Sequence, residues 1–278
     1  MAAYETFQAE TVAPLACISR QARGRIDERL DAIERDHAVR VLLAVEAGSR
    51  AWGLPLPDGD YDVRFVFARR PESYLSVEAL GDVVKSPGDG GLEITGWDIR
   101  KALSLLATAH PVLLEWLRSP IVYRADGEAM VKFLDLAQEA AGQRPAAYHY
   151  LHLCKERYRR FIERRNRVRL LKYVDVLRPA LGLRWLRGNP ARPVPADFGV
   201  LWARLDLPAG FSACLEATLL HQARHRDLGR GPRLVVLDAF IEEEIALAEE
   251  ALPVEDLSPA SLRQQADALF RDLVLRSA

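Results

Sequence analysis

Two carboxylates one residue apart, Asp60 and Asp62, follow a Gly48-Ser49 pair across a short spacer, and an apolar run flanks each half of the arrangement. Side chains at i and i+2 of a strand share a face, so Asp60 and Asp62 can present their oxygens to a common pair of divalent ions. Gly48 lets the backbone approach a bulky anion closely. Ser49 adds a hydroxyl and a backbone N–H at the start of a short helix expected over 50–54, a pairing suited to a β- or γ-phosphate oxygen. Mg2+ takes oxygen ligands from a few carboxylates, substrate phosphates and waters, and two such ions steady attacking and leaving oxygens together. The chemistry these residues predict is metal-assisted phosphoryl transfer.

The surrounding elements follow from periodicity. Ile18, Ile26, Leu30 and Ile33 recur at helical intervals among charges and predict an amphipathic helix over 18–36. Val39 to Ala47 is short, β-branched and almost wholly apolar, as expected of a strand buried on both faces, and it ends at Gly48. The stretch GLPLPDG, 53–59, reads as turns, and 60–68 alternates as a second strand. A third strand is expected at 91–96, after which Asp98 caps a helix, IRKALSLLATA, that His110 and Pro111 close. Beyond Tyr123 the pattern turns helical at about 127–140, 146–165, 167–187, 212–226, 236–251 and 259–276, with Pro179 expected to kink or split the third of these. The class expected is α+β: an α/β front half over 1–125 and a mainly helical domain over 126–278.

The glycine-serine and aspartate residues read AGS, RAWGLPLPDG, DYDVR, and this resembles the signature of the DNA polymerase beta nucleotidyltransferase superfamily. The longer string GSRAWGLPLPDGDYDVRFVF, then YLSV, GWDIRKALSLL, PVLLEWLRSPIVY, YHYL and LLKYVDVLRPALGLRWL, resembles the bacterial RNA repair pathway DNA polymerase beta family. The likeness spans about residues 40–190. Gly59 departs from the Ser often found before the first Asp, but both carboxylates remain. The resemblance implies a polymerase-beta-like domain with a short mixed sheet, Mg2+ or Mn2+ held by Asp60 and Asp62, and transfer from a nucleoside triphosphate to an acceptor hydroxyl.

It also implies a third carboxylate from a later strand. Glu93, inside the expected strand with apolar neighbours, is the first candidate for catalysis and metal binding; Asp98 is the second, although helix capping already explains it. Arg50 and Arg64 would either neutralise the triphosphate or orient the carboxylates. Lys101, a positive charge near a helix start, either faces an anion or is an ordinary surface lysine. In the helical half Lys172, Tyr173 and Arg178 are candidates for holding the base or phosphates, with Tyr173 a stacking platform or a core residue.

Composition sets the limits. The 278 residues are 49% hydrophobic with 38 basic and 39 acidic side chains, a net charge of -1, which excludes a disordered chain and any global pull on polyanions or membranes. No apolar run is long enough to span a bilayer and MAAYETFQAE lacks a signal-peptide layout, so a cytoplasmic location is expected. Charge is nevertheless segregated: from Lys155 to Arg192 thirteen Lys and Arg meet three acids, whereas Asp238 to Ala278 carries ten acids and three Arg. The basic segment is either an RNA-binding surface or a partner of the acidic helices. RNA with a 3′ hydroxyl is the acceptor this favours; a protein side chain, a small molecule, or a non-catalytic nucleotide-binding partner of an RNA repair system are the alternatives.

Overall fold

The computed structural model describes residues 18–54, 59–78, 80–108, 110–140, 143–189, 192–224, 229–251 and 260–276. Residues 55–58 of the expected turn, and the N-terminal segment, lie outside them. In chain order the elements begin with α1 (Arg20–His37), β1 (Val39–Glu46), α2 (Gly48–Ala51), β2 (Tyr61–Arg69) and α3 (Pro71–Tyr74). Next come β3 (Val83–Asp89), β4 (Leu92–Asp98), α4 (Ile99–Ala107), α5 (Pro111–Leu117), β5 (Val122–Ala125) and α6 (Gly127–Ala140). The remainder runs α7 (Gln143–Phe161), β6 (Arg167–Arg169), α8 (Lys172–Gly188), α9 (Phe198–Ala203), α10 (Phe211–Arg224), β7 (Arg230–Pro232), α11 (Val235–Ala251) and α12 (Ala260–Leu275). No helix among the described residues is long and apolar enough to cross a membrane.

The chain forms two compact units. The first is built on a five-stranded mixed sheet of order β3-β4-β2-β1-β5, in which β2 and β4 run parallel and the other neighbours antiparallel. Ser19 opens α1 by accepting from Ala22 N at 3.1 Å, and Ile26, Leu30 and Ile33 pack with Val41, Val63, Phe65 and Phe67 on one face. A register shift between Val41 and Leu43 resets the strand's alternation, so Ala44 joins this face while Leu43 and Val45 join the other. There α4, α5, α6 and α12 supply Leu103, Leu113, Phe133 and Leu273 to a second core.

The division drawn at residue 125 therefore moves. Helix α6 belongs to the sheet-bearing unit, and α12 returns to it from the far end of the chain, bonded through Lys132 to Asp272 and Arg40 Nη2 to Leu273 O at 3.5 Å. The fold class is as expected, with three additions. Strand β3 contains Ser86-Pro87-Gly88, which hides its periodicity; Pro111 opens α5 instead of only closing α4; and β5 forms at 122–125, just before the expected helix, where no strand was expected.

Gly96 shows how tightly the sheet is packed: a Cβ there would lie 2.2 Å from the Phe65 ring. Gly96→Ala is expected to destabilise the protein by about 1–3 kcal/mol or more, through overpacking that a β-sheet backbone relieves poorly. Urea unfolding of the variant checks this.

The second unit contains α7 to α11 and the small β6-β7 sheet. Pro179 does not split its helix, which runs unbroken from Lys172 to Gly188. Proline removes the N–H that would bond the carbonyl four residues back, and here Arg157 Nη1 donates to that Asp175 carbonyl at 2.9 Å, filling the vacancy. The expected helical start at 167 is replaced by strand β6, and α8 begins five residues later.

Candidate active site

Parallel pairing of β2 with β4 decides the site. The register sets Asp62 opposite Glu93 on one rung, and Arg64 lies two residues along β2 on the same face. Arg64 Nη2 sits 2.5 Å from Asp62 Oδ1 and 3.1 Å from Glu93 Oε1, so a single guanidinium nitrogen bridges both carboxylates. Glu93 is open to solvent, with 64% of its side chain exposed, whereas Asp62 is recessed at 32%. Burial raises the Asp62 carboxyl above its ordinary value; Arg64 opposes that rise and the Glu93 charge adds to it.

Asp62 is also fixed through its backbone. Its N–H donates to Glu46 Oε1 at 3.2 Å and its carbonyl accepts from Ala47 N at 2.8 Å, tying the first turn of β2 to the end of β1. Gly48 follows with φ +63°, and a Cβ there would stand 3.2 Å from Asp62 Oδ2. The turn thus needs glycine both for its left-handed backbone and for the close approach of the carboxylate. Asp60, just before β2, is exposed and directs its Oδ1 at Gly91, where a Cβ would lie 2.9 Å away. Asp60 and Asp62 therefore sit at one strand end but address different glycine turns.

Behind this surface lies a group that sequence reasoning missed. Glu46 is fully buried, accepts from Tyr123 OH at 2.7 Å and from Asp62 N, and faces Arg50 Nε at 3.3 Å. Arg50 in turn donates to Gly59 O at 2.8 Å and stacks over the Tyr61 ring at 4.4 Å. One buried carboxylate thereby joins the Gly48-Ser49 turn, the segment before Asp60, and β5. Burial raises the Glu46 carboxyl, countered first by the Tyr123 hydrogen bond. The available signal was an acid closing the otherwise apolar run VLLAVE directly before the glycine turn.

The remaining candidates separate. Both arginines orient acids here: Arg64 holds Asp62 and Glu93, and Arg50 is engaged with Glu46. Asp98 is five residues along β4 from Glu93, about 16 Å at strand rise. It caps α4 through Arg100 N at 2.8 Å and accepts from Tyr74 OH at 3.0 Å, so the structure assigns it to the helix end and leaves Glu93 on the Asp62 rung. Lys101 is paired with Asp82 at 2.9 Å and lies over Trp97.

In the second unit the expectations for Tyr173 and Arg178 are corrected by burial. Tyr173 is fully buried, its hydroxyl donating to Asp238 Oδ1 at 2.8 Å and accepting from Leu234 N at 2.9 Å, so its ring offers no face to a base. Arg178 is 1% exposed and donates to the Pro195 and Ala196 carbonyls at 2.8 and 3.3 Å. Lys172 pairs with Asp175 at 2.7 Å and lies over the Phe161 ring. These three residues organise the helical core and its rim.

Among the described residues no three His, Cys, Asp or Glu side chains form a ready-made metal cluster. Asp60, Asp62 and Glu93 are thus not gathered as one closed ligand set. The donor set nonetheless suits Mg2+, which binds through one or two carboxylates and completes its shell with substrate phosphates and water. Asp62 Oδ1 is buried with no well-aligned hydrogen-bond donor, and the Arg64 guanidinium 2.5 Å away fills the position that a metal ion bound there would take.

Compared with known proteins, residues 22–272 match the model of the RNA repair pathway DNA polymerase beta family. YcgL of Bacillus subtilis (strain 168), described as uncharacterised, is 37% identical over 227 residues, which cover 82% of this chain and 86% of the relative.

Proposed function

Since this chain belongs to the RNA repair pathway DNA polymerase beta family, we propose that it moves a nucleoside monophosphate from a nucleoside triphosphate to the 3′ hydroxyl of an RNA, releasing pyrophosphate, in the cytoplasm. The observation that carries this reading is the Asp62–Glu93 rung set beside the left-handed Gly48 turn. A short mixed sheet delivers two carboxylates and a close-approach glycine to one end of its inner strands, an arrangement that suits in-line phosphoryl transfer.

In this reading Asp60 and Asp62, with Glu93 across the rung, hold Mg2+, for which Mn2+ can substitute. The bound ions supply charge neutralisation at the α-phosphate and at the departing pyrophosphate. Gly48 admits the triphosphate to the backbone and Ser49 donates its hydroxyl to a phosphate oxygen. Glu93, the exposed member of the rung, accepts the proton of the attacking hydroxyl. Arg64 leaves the carboxylates for the triphosphate as the site fills, while Arg50 and Glu46 stay in place and keep Asp62 aimed.

Arg64 therefore competes with metal before nucleotide arrives. Arg64→Gln is expected to tighten nucleotide-free Mn2+ binding about fivefold, the equivalent of about 1 kcal/mol for a partly exposed ion pair, and to raise KM for the triphosphate. Electron paramagnetic resonance of free Mn2+ measures the first effect independently of turnover. Unchanged Mn2+ affinity would remove Arg64 from this role.

Label transfer tests the reaction itself. Each of four α-labelled nucleoside triphosphates is supplied with Mg2+ to the protein alone and with 3′-hydroxyl RNA. Label on RNA supports the proposal; label on protein moves the acceptor to a side chain; and no transfer under any condition contradicts a transferase acting on RNA.

A further inference from the structure

The basic segment is not uniformly available to a ligand. Helix α11 neutralises part of it: Lys155 pairs with Glu249, Arg184 Nε with Glu244 at 2.6 Å, and Arg187 Nη1 with Glu244 at 2.8 Å. These cations serve the packing of the second unit. Part of the remaining charge lies on the β6-β7 ribbon and the turn before it.

There the register sets Arg167 opposite Pro232, Val168 opposite Gly231 and Arg169 opposite Arg230. Val168 points inward and is 1% exposed, and the Leu170 side chain packs where a Cβ on Gly231 would stand, 3.1 Å away. Alternation then puts Arg167, Arg169 and Arg230 together on the outer face, all exposed. The preceding turn adds exposed Arg164, at φ +57°, and Arg165, whose Nη2 donates to Arg160 O at 2.8 Å.

Among the described residues no carboxylate pairs with Arg167, Arg169 or Arg230; the Arg167 guanidinium instead donates to the Arg230 carbonyl at 2.5 Å. Like charges placed directly opposite on neighbouring strands destabilise the pairing, and a ribbon of three residues a side has little stability to lose. An arrangement that sets Arg169 against Arg230 makes physical sense when a polyanion neutralises both. Arg167 and Arg169 are two strand positions apart, about 7 Å, comparable with successive phosphates along one nucleic-acid strand.

We propose that the outer face of the β6-β7 ribbon is a phosphodiester site that grips the backbone of single-stranded RNA without reading its sequence. The choice of RNA rests on the transferase reading above; the anion site rests on the ribbon itself. Among the described residues the face carries arginines but no exposed aromatic ring between them, so it offers charge and guanidinium forks in place of base stacking.

The test is anisotropy of a 5′-labelled RNA 20-mer titrated with the full chain, without nucleotide or metal, over a range of salt concentrations. Arg169→Gln/Arg230→Gln is expected to weaken binding about tenfold and to reduce the slope of log affinity against log salt by about 1.4, two contacts at about 0.7 each. Lys155→Gln, which removes a cation already paired with α11, should leave affinity near the parent value. Should the double variant fail the thermal-unfolding control, Arg230→Gln alone, with a slope loss of about 0.7, replaces it.

Parent affinity and slope in the ribbon variant would overturn the proposal, as would equally tight binding of poly-glutamate. Because binding is read without turnover, ribbon-dependent RNA binding together with label transfer to protein would retire the RNA-acceptor reading and keep the ribbon. Label transfer to RNA with ribbon-independent binding would do the reverse.

Discussion

Asp62→Asn is expected to reduce Mg2+-dependent pyrophosphate release at least about a thousandfold while leaving the protein as stable as the parent or more so. The first half follows from losing a metal-binding charge at the centre of the rung, where electrostatic stabilisation of the transition state is worth several kcal/mol. The second half follows from burial. The folded-state pKa of Asp62 is raised, chiefly by desolvation. A carboxyl raised on folding contributes stability that is complete below its unfolded pKa and is lost as pH rises through the folded value. Once pH has risen through the folded value the parent has given up that stability, whereas the amide, which does not titrate, gives up none of it. Parallel assays of pyrophosphate release and urea unfolding separate the two effects. An active Asp62→Asn protein would remove Asp62 from the chemistry, and an inactive but strongly destabilised one would make it a structural residue.

Glu46 has the opposite signature. Glu46→Ala leaves the Tyr123 hydroxyl, the Asp62 N–H and the Arg50 guanidinium without their shared acceptor in a fully buried position. Removing one partner from such a network costs about 3–5 kcal/mol, and a cavity adds to it. Glu46→Gln keeps the volume and an acceptor for Tyr123 but turns a donor toward the same surroundings, so a milder loss of about 1–2 kcal/mol is expected. Tyr123→Phe, which frees one carboxylate oxygen, should fall in that lower range as well. Urea unfolding ranks the three; a Glu46→Ala loss below about 1 kcal/mol would contradict the network. In Glu46→Gln, turnover should fall more than the affinity for triphosphate, because the variant misaims Asp62 without touching the phosphate turn.

These two residues also mark what a sequence can disclose. Asp62 was legible because its type, its spacing from Gly48 and its apolar flanks all restrict the chemistry at once. Glu93 was legible as an acid inside an apolar strand, but its partnership with Asp62 needed the parallel register, which no local pattern encodes. Glu46 was hidden because an acid at a strand end is ordinarily solvated, and only the return of β5 with Tyr123 buries it. Tyr173 and Arg178 misled for the converse reason. Aromatic and basic side chains on a helix suit a ligand face as well as a core, and the choice was made by Asp238 and by the Pro195–Ala196 carbonyls, distant in sequence.

The fold shows the same division. Strands β1, β2 and β4 and the helices around them announce themselves by period, and the observed bounds fall close to those expected. Strand β3 carries a proline and glycine that erase its alternation, and β5 is too short to show one. The return of α12 to the first unit is a tertiary event, stated in sequence only as an amphipathic helix in search of a surface. The charge segregation left two uses open, and the structure shows the intramolecular one for part of it. Lys155, Arg184 and Arg187 meet α11, while the ribbon arginines face solvent.

The most direct test of the account is anomalous scattering from crystals grown with Mn2+ and a non-hydrolysable nucleoside triphosphate. The account predicts manganese against the carboxylates of Asp60 and Asp62, the triphosphate on the Gly48-Ser49 turn, and Arg64 withdrawn from the Asp62–Glu93 rung. Triphosphate bound elsewhere, or bound at the turn with no manganese at Asp62 and Arg64 still bridging the acids, would contradict it.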